Sequence, residues 1–219
     1  MNEIFKKQNA LKVCGITTKD DAYALVDMRV EALGFNFWPK SKRYISAENA
    51  LAFSPQLENK IVRVGVFVNQ DPEEILQLLR DNVIDIAQLH GDESFEYCQA
   101  FAKHGFPFIK AIGVANADSL DRITDYHADA ILLDAHAPLV YGGTGDTFDW
   151  NLAKDVMVKH PDLPIILAGG ITAENAGLAA KQVAPCILDV ASGAESSPGV
   201  KDFVKVKAIQ EAIYSANKA

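Results

Sequence analysis

"PIILAGGITAENAGLAAKQVAPCILDVASG", Pro164 to Gly193, passes from one short apolar segment through an amphipathic one to a second apolar segment. The outer pieces, "PIILAGG" and "CILDVASG" from Cys186, are rich in Ile, Leu and Val and show little strict alternation. Strands covered on both faces of a parallel sheet read this way. The middle piece, "TAENAGLAAKQV" from Thr172, predicts a helix with Glu174 and Asn175 in its first turn. Together they make a strand, a helix and a second strand, with glycine where each strand hands over to the next loop.

The same unit recurs along the chain. Strand-like runs begin at Leu11, Glu31, Ile61, Asp85, Phe108 and Ala130, ahead of the two already quoted. Helix-like segments begin at Asp20, Ser46, Asp71, Asp92, Asn116 and Asn151, then Thr172 and Val200. Several carry start signals: "DPEEILQLLRDN" has an Asp cap with Pro in the first turn, and "DESFEYCQAFAKHG" ends in a glycine suited to a helix stop. Strand and helix thus alternate eight times, each unit taking roughly one eighth of the 219 residues. No linker or low-complexity tract divides the chain. The expectation is an α/β fold, a single (β/α)8 TIM barrel spanning 1–219 as one domain. An open doubly wound sheet is the alternative, but the first turn, "CGITTKDD", lacks the glycine spacing of a dinucleotide site.

Composition narrows the function classes. Hydrophobic residues make up 49% and charged residues 23%, as in an ordinary globular protein. A net charge of −8 argues against general binding to nucleic acid or an anionic membrane. The three cysteines, Cys14, Cys98 and Cys186, are far apart and form no zinc or disulfide pattern. With no signal-peptide core in "MNEIFKKQNA" and no membrane-length apolar run, a cytoplasmic location is expected.

In such a barrel the chemistry stands at the strand C-termini and in the loops behind them. Gly169, Gly170, Ser192 and Gly193 follow the last two strands, where barrel enzymes commonly hold phosphate on backbone N–H groups. Two ordinary tight turns are the other reading. Cys14 ends the first strand and Asp134 the sixth, so both would face one mouth as base and acid. A thiolate near neutrality needs only a modest shift from about 8.5, and a carboxylic acid that keeps its proton needs partial burial or a negative neighbour. A buried small hydrophobe is the alternative for Cys14, and an acceptor for loop N–H groups for Asp134. Arg43, in "WPKSKRYI", has the planar fork for a carboxylate, whereas Lys40 and Lys42 read as solvated. Asp189 stands at the end of strand eight and is expected among the substrate-binding residues. His90 reads as a hydrogen-bonded lining residue, Lys110 as a barrel-interior lysine paired with a carboxylate, and Cys98 and Cys186 as packing residues.

These stretches together resemble the phosphoribosylanthranilate isomerase family of tryptophan biosynthesis. The matches, in the family's order, are "KVCGIT" from Lys12, "GFNFWPKSKRYI" from Gly34, "VGVFVN" from Val64, "QLHGDE" from Gln88, "LLDAH" from Leu132, "YGGTGDTFDW" from Tyr141, "LAGGITAENA" from Leu167 and "DVASGAESSPGVKD" from Asp189. The resemblance implies an Amadori rearrangement of N-(5′-phosphoribosyl)anthranilate to 1-(2-carboxyphenylamino)-1-deoxyribulose 5-phosphate. It places the acid on Asp134, the base on Cys14, the anthranilate carboxylate on Arg43 and the phosphate in the glycine loops. It implies no metal and no cofactor, and a monomer or homodimer acting on a small-molecule substrate is expected. The chain departs from relatives at Ala168 and Ala191, where hydroxyls are common, at Asp146 in the strand-six loop, and at Val30 and Glu31. Another phosphosugar barrel enzyme is the nearest alternative, but the histidine-pathway isomerase would carry an aspartate where this chain has Cys14. A catalytically silent barrel serving as a pathway partner is the other, and the presence of Cys14, Arg43 and Asp134 speaks against it.

Overall fold

In the computed structural model, which describes residues 2–135 and 147–218, eight parallel strands close into a barrel. They are β1 (Ala10–Cys14), β2 (Ala32–Asn36), β3 (Val62–Phe67), β4 (Ile86–Leu89), β5 (Phe108–Val114), β6 (Ala130–Ala135), β7 (Ile165–Leu167) and β8 (Ile187–Val190). Each pairs with its sequence neighbour, and β1 closes the ring on β8 with Lys12 opposite Asp189. The expected barrel is therefore the observed one.

Strand geometry sorts the side chains into two cores. Alternate residues point to opposite faces, so Ala32, Val64, Ile86, Ile109, Leu132 and Ile166 pack inside the barrel. Their neighbours Leu33, Phe35, Ala87, Phe108, Leu133 and Leu167 pack outward beneath the helices. Because both faces are buried, the strands need no polar face, and this is why they read as continuous apolar runs. Lys110 shares the outward parity of Phe108 and Ile112. Its Nζ meets Glu93 Oε2 at 2.7 Å and lies over the Tyr126 ring, so the expected carboxylate partner is there but the expected interior position is not.

The helices follow local chemistry. α1 (Lys19–Asp27) is capped by Thr18, whose hydroxyl accepts from Asp21 N, and Ser46 caps α2 (Ala47–Leu51) in the same way. α3 (Pro72–Arg80) combines an Asp71 cap, Pro at its start and Arg80 in its last turn, and buries Ile75, Leu76 and Leu79. α4 (Phe95–Ala102) buries Cys98 and Phe101, as expected for a packing cysteine. α5 (Trp150–Lys159) is capped by Asp149.

Three helix expectations need correction. The segment from Asn116 forms two 3-10 turns, Ala117–Leu120 and Ile123–Tyr126, and no α-helix. Asn116 and Ser119 cap each other's backbone there, and such side chains compete with helical hydrogen bonds. The helix expected from Thr172 begins later, as α6 (Ala176–Gln182). The Asn175 amide instead donates to Gly170 O at 2.8 Å and accepts from Thr172 N at 2.8 Å, clasping the preceding loop. Finally, Val200 and Lys201 form β10, an antiparallel hairpin with β9 (Glu195–Ser197), and α7 starts only at Phe203 and runs to Lys218.

Candidate functional site

At the C-terminal end of the barrel, inward-pointing residues of successive strands line one pocket. Cys14, Asn36, Val66, Gln88, Asp134, Ala168 and Asp189 come from this parity, joined by Ser41 and Arg43 from the β2 loop, His90, and Gly169, Gly170 and Ser192 from the last two loops. Parity thus gathers the expected base, acid and aspartate, and the loops add the expected arginine and glycines. Gly193 is the exception. A Cβ there would come within 2.0 Å of the Ile171 carbonyl, so Gly193 lets the last loop press on its neighbour without itself lining the pocket.

Cys14 is partly exposed, in a charged setting that sequence reading missed. Lys12, two residues earlier and so on the same face, is fully buried and donates to Asp189 Oδ1 at 2.9 Å and to Gln88 Oε1 at 3.1 Å. Burial works against its charge, but Asp189 and the Cys14 sulfur outweigh it and hold the ammonium above its usual range. Burial also pushes the Cys14 thiol up. Lys12 and Lys201 pull it down, Asp189 pushes it further up, and the balance stays upward. The "KVC" spacing was the available signal: i and i+2 on one strand share a face.

Asp134 is 6% exposed. Its Oδ1 accepts from Ala135 N at 2.9 Å, and its Oδ2 lies 3.4 Å from His90 Nε2. Gly169 holds φ at +80°, and a Cβ there would meet Asp134 Oδ1 at 2.9 Å, so the turn needs glycine both for its conformation and for its closeness to the acid. The helix that follows this turn starts only at Ala176, six residues beyond Gly170. After β8 a 3-10 turn, Ser192–Ala194, follows directly. The strand-six loop from His136 to Asp146, including Asp146, lies outside the described residues.

Arg43 is brought over the end of β1 by the folded β2 loop. Ser41 N donates to Trp38 O and Ile45 N returns to Asn36 O, both at 2.9 Å. The Arg43 stem lies against Gly15. Its Nε and Nη2 donate to the two Glu195 oxygens at 2.8 to 3.0 Å. Glu195, 5% exposed, also accepts from Lys201 at 2.6 Å, and Lys201 in turn donates to the Cys14 carbonyl at 2.5 Å. Burial pushes the Glu195 carboxyl up, yet Arg43 and Lys201 outweigh this and hold it below the usual range. Sequence reading missed both Glu195 and Lys201, because only the β9–β10 hairpin turns them inward. Lys40 and Lys42 are exposed, as expected.

Among the described residues, no cluster of three His, Cys, Asp or Glu side chains could hold a metal ion, and no helix is long and apolar enough to cross a membrane.

A closed (β/α)8 barrel whose mouth gathers a thiol, a carboxyl group, an arginine and glycine turns defines a barrel enzyme of the acid–base kind. The family model for N-(5′-phosphoribosyl)anthranilate (PRA) isomerase matches residues 11–212. The N-(5′-phosphoribosyl)anthranilate isomerase of Thermotoga maritima is 43% identical over 197 residues, covering 90% of this chain and 94% of that one. A crystal structure of the phosphoribosyl anthranilate isomerase from the same organism superposes with a TM-score of 0.83 at 38% identity, covering 94% of this chain and 99% of that one. A further isomerase structure, in complex with reduced 1-(o-carboxyphenylamino)-1-deoxyribulose 5-phosphate, gives 0.79 at 37% identity with the same coverage. This chain belongs to the N-(5′-phosphoribosyl)anthranilate isomerase family.

Proposed function

We propose that this chain isomerises N-(5′-phosphoribosyl)anthranilate to 1-(2-carboxyphenylamino)-1-deoxyribulose 5-phosphate in tryptophan biosynthesis, with Asp134 as acid and Cys14 as base. The observation that carries the reading is that both side chains line one pocket in a barrel of this family.

Asp134 gives its proton to the ribose ring oxygen. The C1′–O bond breaks, and the anthranilate nitrogen lone pair closes an iminium at C1′. Cys14, as thiolate, takes the C2′ proton and leaves an enolamine. Proton gain at C1′ and loss from the C2′ hydroxyl complete the aminoketose, with no net change in atoms or electrons. The carboxylic acid form of Asp134 is needed at the start, and its partly closed site limits competition from water. The raised thiol gives a stronger base once ionised, with Lys12 and Lys201 beside it to stabilise the anion.

Glu195 occupies the Nε–Nη2 edge of Arg43, so the substrate carboxylate meets the Nη1–Nη2 edge. The backbone N–H groups of Gly169 and Gly170 and the turn at Ser192 receive the phosphate, and Gly193 shapes that turn without touching the ligand. Asp189 acts through Lys12, whose charge it fixes beside Cys14. No metal or cofactor enters any step. Residues 1–219 act as one unit, a cytoplasmic monomer or homodimer with a small-molecule substrate and no nucleic-acid or membrane partner.

The deciding assay follows anthranilate fluorescence as phosphoribosylanthranilate, made in situ, is consumed. Wild type quenches the signal rapidly, and Asp134→Asn stays at background. A folded wild type that leaves the signal unchanged would replace this reading with another phosphosugar substrate or a silent partner role.

A further inference from the structure

Inside the barrel a line of polar groups joins the base's lysine to the acid. Lys12 Nζ donates to Gln88 Oε1 at 3.1 Å, Gln88 Nε2 stands 3.0 Å from His90 Nδ1, and His90 Nε2 stands 3.4 Å from Asp134 Oδ2. Lys12 and Gln88 are 0% and 1% exposed, so water does not intervene freely between them.

The chemistry of the groups fixes the direction of this line. An amide's oxygen and nitrogen, and a histidine's tautomer, are usually open choices. Here the first is decided by Lys12, because an ammonium only donates. Its partner on Gln88 must be the oxygen. The NH2 group of Gln88 therefore faces His90, and an NH2 group also only donates. His90 Nδ1 must then accept, so it holds no proton, and the neutral imidazole carries its proton on Nε2. That nitrogen is the one facing Asp134. An imidazolium would set an Nδ1 proton against the Gln88 amide.

We propose that Lys12, acting through Gln88, locks His90 in the Nε2–H tautomer, so that Asp134 faces a neutral hydrogen-bond donor throughout the acid step. Gln88 and His90 are thus positioning residues, and this role rests on the reading of Asp134 as the acid. A neutral donor suits both halves of the step. It brings no full positive charge that would strip Asp134 of its proton beforehand, and it offers a hydrogen bond to the carboxylate as soon as the proton has left. The 3.4 Å contact leaves room for that bond to shorten as charge develops.

The test uses the near-isosteric variant Gln88→Glu. One Glu oxygen can keep the Lys12 contact. The other turns an acceptor toward His90 Nδ1 and demands a proton there. With 15N-labelled histidine at about pH 7.5, His90 is assigned among the five histidines by the signal lost in His90→Asn. In wild type, His90 shows a proton-free Nδ1 and a protonated Nε2. In Gln88→Glu the Nδ1 becomes protonated, and kcat falls about ten- to a hundredfold with KM within about twofold, a part of the ~10²–10⁴ that proton transfer contributes. Circular dichroism and thermal unfolding confirm that the variant folds.

A proton-free Nε2 or an imidazolium in wild type would overturn the proposal. So would an unaltered tautomer in a folded Gln88→Glu, or an altered tautomer with unchanged kcat. An active wild type with an active Asp134→Asn would remove the acid reading, and this role with it, even with the tautomer as assigned. That outcome is distinct from failure at Gln88 alone.

Discussion

Replacing Glu195 by Gln tests how the arginine is held. Glu195 is the shared counter-ion of Arg43 and Lys201 and also accepts from Gly199 N at 3.2 Å. The substitution keeps the shape but removes the charge and turns an NH2 group toward groups that only donate. Two cations are then left side by side. Removing one partner from a buried ion pair costs about 3–5 kcal/mol. Arg43 keeps 13% side-chain exposure and so recovers some hydration, which places the loss near the lower end, about 3 kcal/mol. For a domain of this size each kcal/mol moves Tm by about 2–4 °C, so Tm falls by about 6–12 °C.

The sign with pH follows from the depressed Glu195 carboxyl. Its stabilisation is complete above the usual Glu value of 4.5 and is lost as pH falls through the lower folded-state value. The Tm gap between wild type and Glu195→Gln is therefore full at neutral pH and closes in acid. Thermal unfolding by circular dichroism from about pH 7.5 down to about pH 3.5 reads both quantities, and the fluorescence assay adds a KM increase larger than any fall in kcat. A Tm within about 2 °C of wild type at neutral pH, or a gap that widens in acid, would show that the cluster is not an ion-paired unit.

Cys14→Ser should lose most turnover while still binding inorganic phosphate or a sugar phosphate, because only the base is weakened; wild-type kcat in that variant would remove Cys14 from the mechanism. Arg43→Ala should raise KM and lower kcat/KM, and unchanged values of both would refute its role as partner of the substrate carboxylate. Iodoacetamide should label the native protein once, at Cys14, and faster as pH rises toward the thiolate. Cys98 and Cys186, pushed by burial up to about 11 and about 12, should react only on unfolding, and native labelling of either, located by peptide mass, would contradict their burial.

The barrel was legible because its strands are apolar on both faces, so each announced itself without alternation, and because caps such as Thr18, Ser46 and Asp71 mark the helix starts. The segment from Asn116 is not an α-helix because Asn116 and Ser119 spend their side chains on the backbone. At the site, Cys14, Asp134 and Arg43 were visible from their places at strand ends and in the β2 loop. The groups around them were less so. Lys12 was within reach of a parity argument from Cys14, but its partner Asp189 is a neighbour only because the barrel closes. Glu195 and Lys201 depend on a two-strand hairpin whose inward turn has no local signature. Lys110 was paired as expected but faces the opposite way, an error of one residue in parity that moves a side chain across the sheet.

The closing seam between β1 and β8 also sets the order in which the protein can come to life. Lys12 meets Asp189 across 177 residues of sequence, and Lys201 meets the Cys14 carbonyl across 187. Contacts of such range are the slowest to form, since the intervening chain must be ordered first. During synthesis Cys14 and Lys12 emerge long before Asp189, Glu195 and Lys201, the groups that complete their surroundings. The nascent barrel holds an open seam, with β1 presenting an unpaired edge until the final unit arrives. Recovery of activity on refolding should accordingly lag the gain of helix signal, and the lag measures how long the ring takes to close.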